Sequence, residues 1–317
     1  MRTFKDYILL FLKGIGMGSA DVVPGVSGGT IAFITGIYEE LLNSINSFDA
    51  EAFRLLFSLK FKNFWAKING GFLLPLVSGI LLSAITLAKI ITYFLEEHPI
   101  QLWSFFFGLI IISSISVAKE ISKWNGYTVL SALVGIAIAY MVTVITPATT
   151  PNSLWFVFIC GAIAICAMIL PGISGSFILL ILGKYAFIMS ALKNFEVGTI
   201  AVFAIGCIIG LFTFSRLISW FLKKFHYYAI ALLAGFMIGS LNKIWPWKKA
   251  ELFRINSHGI QVPIFERNIL PTDYMAETGH SPMIIQAILY MALGFMMVVI
   301  MEKIAYAIKK SNEKNHS

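Results

Sequence analysis

The chain has 317 residues, of which 58% are apolar and 13% charged, and its formal net charge is +8. Apolar runs of near membrane-spanning length recur throughout, which a water-soluble core of this size could not accommodate, while the strands of a β-barrel porin would alternate polar and apolar positions instead. An all-α integral membrane protein is therefore predicted, and the basic excess reads as cytoplasmic loops facing anionic lipid rather than as a nucleic-acid surface.

Arg2 and Lys5 before an apolar run, with Gly18-Ser19-Ala20 after it, imitate a secretory signal. Lys13 interrupts the run and the sequence beyond continues a patterned element, so the segment is expected to stay. Phe4 to Ala20 reads as a helix, broken by Pro24-Gly25 with Gly28-Gly29, and a second helix should start near Ser27 to Thr30 with Ser27 as its N-cap. Residues 43–70 are amphipathic and basic, as for a helix lying at a membrane surface. Spans are predicted over Phe72–Leu95, Gln101–Val117 and Tyr127–Ile145, with Glu96-Glu97-His98-Pro99 as a turn and Pro147 to Asn152 as a linker. The second half offers another broken element, spans over Val197–Leu222 and Tyr228 to about Ile244, an extracytoplasmic loop over 245–282, and a last span over Met283–Ala305. Pro246, Pro263 and Pro271 argue against one continuous helix in that loop. Cys160, Cys166 and Cys207 lie in apolar runs and read as small core residues.

The core of Gly14–Leu42, GIGMGSADVVPGVSGGTIAFITGIYEELL, returns in altered form at Gly161–Leu192, GAIAICAMILPGISGSFILLILGKYAFIMSAL. The two align at a constant offset without a gap: Pro24 falls on Pro171, Ser27 on Ser174, Gly28 on Gly175 and Tyr38 on Tyr185. Once an extra surface helix is taken out of the first half, Gly79 aligns with Gly206, Lys89 with Arg216 and Gly108 with Gly235. The expectation is one transmembrane domain of two repeats, about 1–146 and 153–310, each with one broken hairpin and three spans. An odd number of crossings gives them opposite orientation, as in inverted-repeat transporters. With both termini cytoplasmic the lysines and arginines follow the positive-inside rule. The hairpins are expected to dip rather than cross, since opened backbone is tolerated at depth only when buried in protein or lining a cavity.

At each tip a helix start would aim unpaired N–H groups and a positive dipole end at the interior, an arrangement that suits an oxyanion. The residues concerned are Ser27, Gly28, Gly29 and Thr30 in the first copy and Ser174, Gly175 and Ser176 in the second; packing through small residues is the competing reading. Lys89 and Arg216, inside spans at equivalent positions, are candidate phosphate partners, with snorkelling to the interface as the alternative for Lys89. The Arg216 fork suits a phosphate. Asp21, beside the first break, could exchange a proton during a cycle or cap the second half-helix; Glu39 is a second candidate for coupling. Lys184 is read as an interfacial anchor. His226, His258 and His280 stand in loops without a metal-ligand pattern, no Walker loop or dinucleotide fingerprint is present, and no cofactor is expected.

The segments ADVVPGVSGGTIAFITGIYEELL and LPGISGSFILLILGKY resemble the polyprenyl-phosphate transporter family called PopT, and the resemblance covers nearly the whole chain. It implies a bacterial inner-membrane protein that returns undecaprenyl phosphate, the lipid carrier of envelope polymers such as peptidoglycan, from the outer to the inner leaflet. A weaker resemblance is to undecaprenyl-diphosphate phosphatase, whose PGxSRSG-type segment has an Arg where Gly28 and Gly175 stand here. Ser27 or Ser174 could serve as nucleophile, but neither has an evident base beside it. A flippase is expected, with a phosphatase or a small-anion transporter as alternatives.

Overall fold

The computed structural model describes residues 2–23, 26–145, 150–255 and 261–314, with backbone alone at 88, 252–255, 261–265 and 304–314. The expected Pro24-Gly25 break, the first half of the Pro147–Asn152 linker and His258 lie outside the described residues. Helix α1 (Phe4–Val22) opens on a capping box: Thr3 accepts from the Asp6 amide while the Asp6 carboxylate accepts from the Thr3 amide. Beyond the break, α2 (Gly28–Ile34) begins with Ser27 as N-cap, and Gly36 at φ +70 turns the chain into α3 (Tyr38–Asn46). The basic amphipathic stretch forms two helices rather than one, α4 (Ala50–Phe57) and α5 (Phe61–Lys67), parted where Leu59 takes φ 56. Phe53, Phe57, Leu59, Phe61 and Trp65 are exposed there and give the pair an apolar surface.

Three long helices follow: α6 (Gly70–Glu97), α7 (Pro99–Lys119) and α8 (Gly126–Val144). Helix α6 runs through Glu96 and Glu97, so the turn to α7 narrows to His98, with Pro99 at a first-turn position that needs no N–H donor. The second half repeats the order with α9 (Leu154–Ile169), α10 (Gly175–Ile181), α11 (Tyr185–Lys193), α12 (Val197–Lys224) and α13 (His226–Ser240). A hairpin of β1 (Lys248–Ile255) and β2 (Gln261–Asn268), a short α14 (Pro271–Thr278) and a final α15 (Ile284–Lys314) complete the chain. Helices α6, α7, α8, α12 and α15 are each long and apolar enough to cross a membrane. The expected span over Tyr228–Ile244 is shorter: α13 has 15 residues and stops at Ser240, about 22 Å at 1.5 Å per residue. It is apolar on all sides because it packs in the centre of the bundle beside α7.

The packing recurs between halves. Helix α1 lies along α6 as α9 lies along α12, and α7 meets α15 as α13 meets α8. Each seam closes on glycine. A Cβ at Gly79 would overlap the carbonyl oxygen of Phe11, and one at Gly206 that of Phe158; a Cβ at Gly108 would overlap the carbonyl of Met291, and one at Gly235 that of Ala132. Without a hydrophobic drive between helices in lipid, such backbone approach is what dispersion contacts require.

The segment read as an extracytoplasmic loop is a folded cap. Trp247, Ile269 and Tyr274 pack with Ile100 of α7 and Ala287 of α15. Trp245 Nε1 donates to the Ile269 carbonyl at 2.9 Å and Trp247 Nε1 to the Pro282 carbonyl at 2.7 Å. The all-α class thus carries one small antiparallel hairpin.

Candidate functional site

The two glycine-rich tips meet. In the second, α9 ends at Ile169, Gly172 takes φ +85, and Ser174 caps α10. Helix α10 has seven residues, about 10 Å of rise against a hydrocarbon core of about 30 Å. Beyond Gly183, at φ +64, α11 turns away by 109°. The first tip is built alike, with a seven-residue α2 ending at another positive-φ glycine.

Side chains of the first tip bind backbone of the second. Ser27 Oγ donates to the Met168 carbonyl at 2.9 Å and accepts from the Gly29 amide at 3.0 Å. Thr30 Oγ1 accepts from the Gly172 amide at 2.9 Å, and the Tyr38 hydroxyl donates to the Ile169 carbonyl at 3.1 Å. A Cβ at Gly29 would stand 2.6 Å from the Ile169 carbonyl oxygen, so only glycine lets the tips come this close. Ser27, Thr30, Tyr38 and Ser174 are all buried. Buried polar groups need partners, and here the two halves satisfy each other.

The tips are not equivalent. Asp21, in the last turn of α1, accepts from the Gly28 amide at 2.7 Å, so a carboxylate of the protein occupies the start of α2. Its repeat counterpart is Met168, whose side chain packs against Gly175. The second tip instead carries a hydroxyl pair: Ser174 Oγ lies 2.7 Å from Ser176 Oγ, and its bond from the Phe177 amide is long at 3.5 Å.

The structure therefore brings Asp21, Ser27, Gly28, Gly29, Thr30, Ser174, Gly175 and Ser176 to the two tips. It does not bring Lys89, Arg216 or Glu39 there. On α12 the inward face is Ser215, Ile218, Ser219 and Leu222, and the helical turn leaves Arg216 exposed. Ser215 Oγ donates to Asn46 Oδ1 at 2.8 Å and Asn46 Nδ2 donates to Ser219 Oγ at 2.7 Å, fixing that face against α3. Lys89 is exposed on α6 alongside Ile85, Ile90 and Tyr93. Glu39 is exposed on α3, 3.9 Å from His226 Nδ1. Lys184, expected at the interface, is 1% exposed; its Nζ donates to the Thr150 carbonyl and to Asn152 Oδ1, each at 2.7 Å. The tie made by Tyr38 was not among the expected site contacts, although its recurrence as Tyr185 marked the position. Among the described residues no group of three or more His, Cys, Asp or Glu could hold a metal ion.

A bundle of apolar helices with two broken helical elements meeting tip to tip defines a membrane protein of the transporter type. The chain belongs to the VCA0040-like family, described as undecaprenyl phosphate translocase-like, which it matches over residues 17–262. It is 44% identical over 300 residues to the polyprenyl-phosphate transporter of Vibrio cholerae serotype O1, covering 95% of this chain and 97% of that one. It is 34% identical over 265 residues to the polyprenyl-phosphate transporter of Staphylococcus aureus, covering 78% of this chain and 88% of the relative. No solved structure matches it significantly.

Proposed function

We propose that the protein is a polyprenyl-phosphate flippase of the bacterial inner membrane, returning undecaprenyl phosphate from the outer to the inner leaflet for envelope polymer synthesis. The observation that carries this reading is the closure of two broken tips on each other in a chain whose relatives are named polyprenyl-phosphate transporters. In the proposed cycle the tips part, and the phosphate takes the amides and hydroxyls that now bind protein, first at Ser174 and Ser176, where no carboxylate competes. The polyprenyl chain stays in lipid. The two halves act as inverted repeats that open alternately to the two leaflets, with both termini in the cytoplasm. Lys89 and Arg216, exposed on α6 and α12, are assigned to headgroups at the membrane surface.

Asp21 sits where a phosphate would meet the start of α2, and two anions there repel. Protonation of Asp21 as the lipid phosphate enters would remove that repulsion, which gives Asp21 a coupling role; Glu39, exposed beside His226, would act only at the cytoplasmic mouth. In proteoliposomes the purified protein is expected to move undecaprenyl phosphate between leaflets while releasing no inorganic phosphate from undecaprenyl diphosphate. Phosphate release would transfer the assignment to a phosphatase. Asp21→Asn should flatten the pH dependence of translocation; an unchanged pH profile would remove Asp21 from coupling.

A further inference from the structure

A cavity of about 250 Å3 lies under the cap, between the end of α8, helix α10 and the β-hairpin. Lys243, in the turn after α13, and Lys248, the first residue of β1, both line it. Their Nζ atoms stand 3.8 and 3.7 Å from one Glu266 carboxylate oxygen, beyond ordinary hydrogen-bond length. The Lys248 side chain is 5% exposed, and its Nζ has no hydrogen-bond partner among the described residues. It lies 3.4 Å from the centroid of the Trp103 ring, a contact that favours the cation but supplies no acceptor oxygen. Arg267 stands at the rim, held by Glu251 at 2.9 Å and Glu277 at 2.7 Å. With both lysines protonated, two ammonium groups facing one shared carboxylate leave net positive charge in a buried space, which an anionic oxygen would offset.

The cavity wall is divided between polar residues, Thr143, Asn242 and Asn268 beside the charged groups, and an apolar part. Tyr140, Val144 and Ile145 line it and are also exposed, continuing the outer surface that α8 presents at Leu133 and Met141. The opposite wall is Phe177, Leu180 and Ile181 of α10, with Lys243 Nζ 4.6 Å from the Phe177 ring centroid. The cavity thus opens sideways where a lipid-facing helix meets a basic cap, and its inner wall begins three residues after the Ser174 cap of the second tip.

We propose that this cavity is a second phosphate site, separate from the tips, which receives the phosphate of a lipid-borne phosphate monoester on Lys243 and Lys248 while the apolar chain lies along α8. The proposal deepens the lipid-phosphate reading above and rests on it. A soluble phosphate would use the same lysines but would gain nothing from the apolar mouth. A purely structural role for Lys248 would leave Glu266 as a needed partner, whereas in a phosphate site Glu266 competes with the ligand.

The test uses the full chain in phosphatidylcholine nanodiscs, titrated with farnesyl phosphate, farnesol or inorganic phosphate and followed by tryptophan fluorescence, since the Trp103 ring lies against the Lys248 ammonium. Farnesyl phosphate should bind and farnesol should not. Lys243→Gln with Lys248→Met should weaken binding about tenfold or more, the scale of lost charge-assisted hydrogen bonds. Glu266→Gln should tighten binding roughly threefold or more by removing a like charge, a gain that misfolding cannot produce. Unchanged farnesyl phosphate affinity in the double variant, or weaker binding in Glu266→Gln, would overturn the site. Displacement by inorganic phosphate at equal concentration would overturn its assignment to a lipid-borne ligand. If the flippase reading itself fails, wild-type proteoliposomes will not translocate lipid phosphate whatever the lysines bind. If only this inference fails, wild type and the double variant will bind and translocate alike.

Discussion

Thr30 ties the halves of the chain together through one hydroxyl, which accepts the Gly172 amide at 2.9 Å where both groups are buried. Thr30→Val keeps the shape and removes the acceptor, leaving a buried N–H unpaired at a cost of about 1–3 kcal/mol. The variant should therefore melt at a lower temperature in detergent than wild type, with Thr30→Ser largely restoring it. Equal melting of Thr30→Val and wild type would mean that the tie contributes nothing. The role of Ser27 as N-cap was legible in the sequence, because a hydroxyl just before Gly-Gly after a break suits the free amides of a helix start. Its partner, the Met168 carbonyl, was not, since pattern gives periodicity but not which distant backbone comes within reach. The placement of charged residues was less legible for a related reason. A lysine in an apolar run announces a cost, but whether it turns outward, as Lys89 does, or finds buried oxygens, as Lys184 does, depends on the face its helix presents.

At the scale of elements, the long helices were legible because a run of apolar residues long enough to cross lipid has few other fates. Their ends were less so: α6 continues through two glutamates because the turn needs only His98, and the basic surface stretch divides where Leu59 adopts a positive φ. The cap was not legible as structure, because its polar, proline-interrupted sequence lacks either regular period. Its docking carries a testable electrostatic signature in Lys248. Burial pushes the Lys248 ammonium down to about 7 from its ordinary 10.5, nearby Lys243 pushes the same way and Glu266 opposes both. Released cap would hold the Lys248 proton up to about 10.5, docked cap only to about 7, so between these values the released state binds more protons. Docking should then strengthen as pH rises from 7 towards 10.5, by up to about tenfold per unit from this group alone, and should be weakest below 7. Hydrogen exchange of the α14 amides, corrected for intrinsic rates, should show greater protection at pH 9 than at pH 7, and Lys248→Met should abolish the difference. Protection that falls over the same interval would contradict the burial of this lysine.

For the whole molecule, the recurring glycine seams and the meeting of the tips imply a device with two similar halves and one shared contact. The sequence carried the recurrence, since Gly79 with Gly206 and Gly108 with Gly235 align in it, and the structure uses both pairs at equivalent seams. It did not carry the closure, because a motif read one copy at a time gives no sign that the copies bind each other. The central claim is that this contact must open for a lipid phosphate to pass, and that its residues bind the phosphate when it does. The most direct measurement is leaflet-resolved translocation of undecaprenyl phosphate in proteoliposomes, comparing wild type with Ser174→Ala/Ser176→Ala, whose hydroxyls make no hydrogen bond to the other tip among the described residues. The account predicts outer-to-inner movement by wild type and its loss, by about tenfold or more, in the double variant assayed below its melting temperature, which loss of the Ser174 cap should lower slightly. Full-rate translocation by that variant would contradict the placement of the phosphate at the tips.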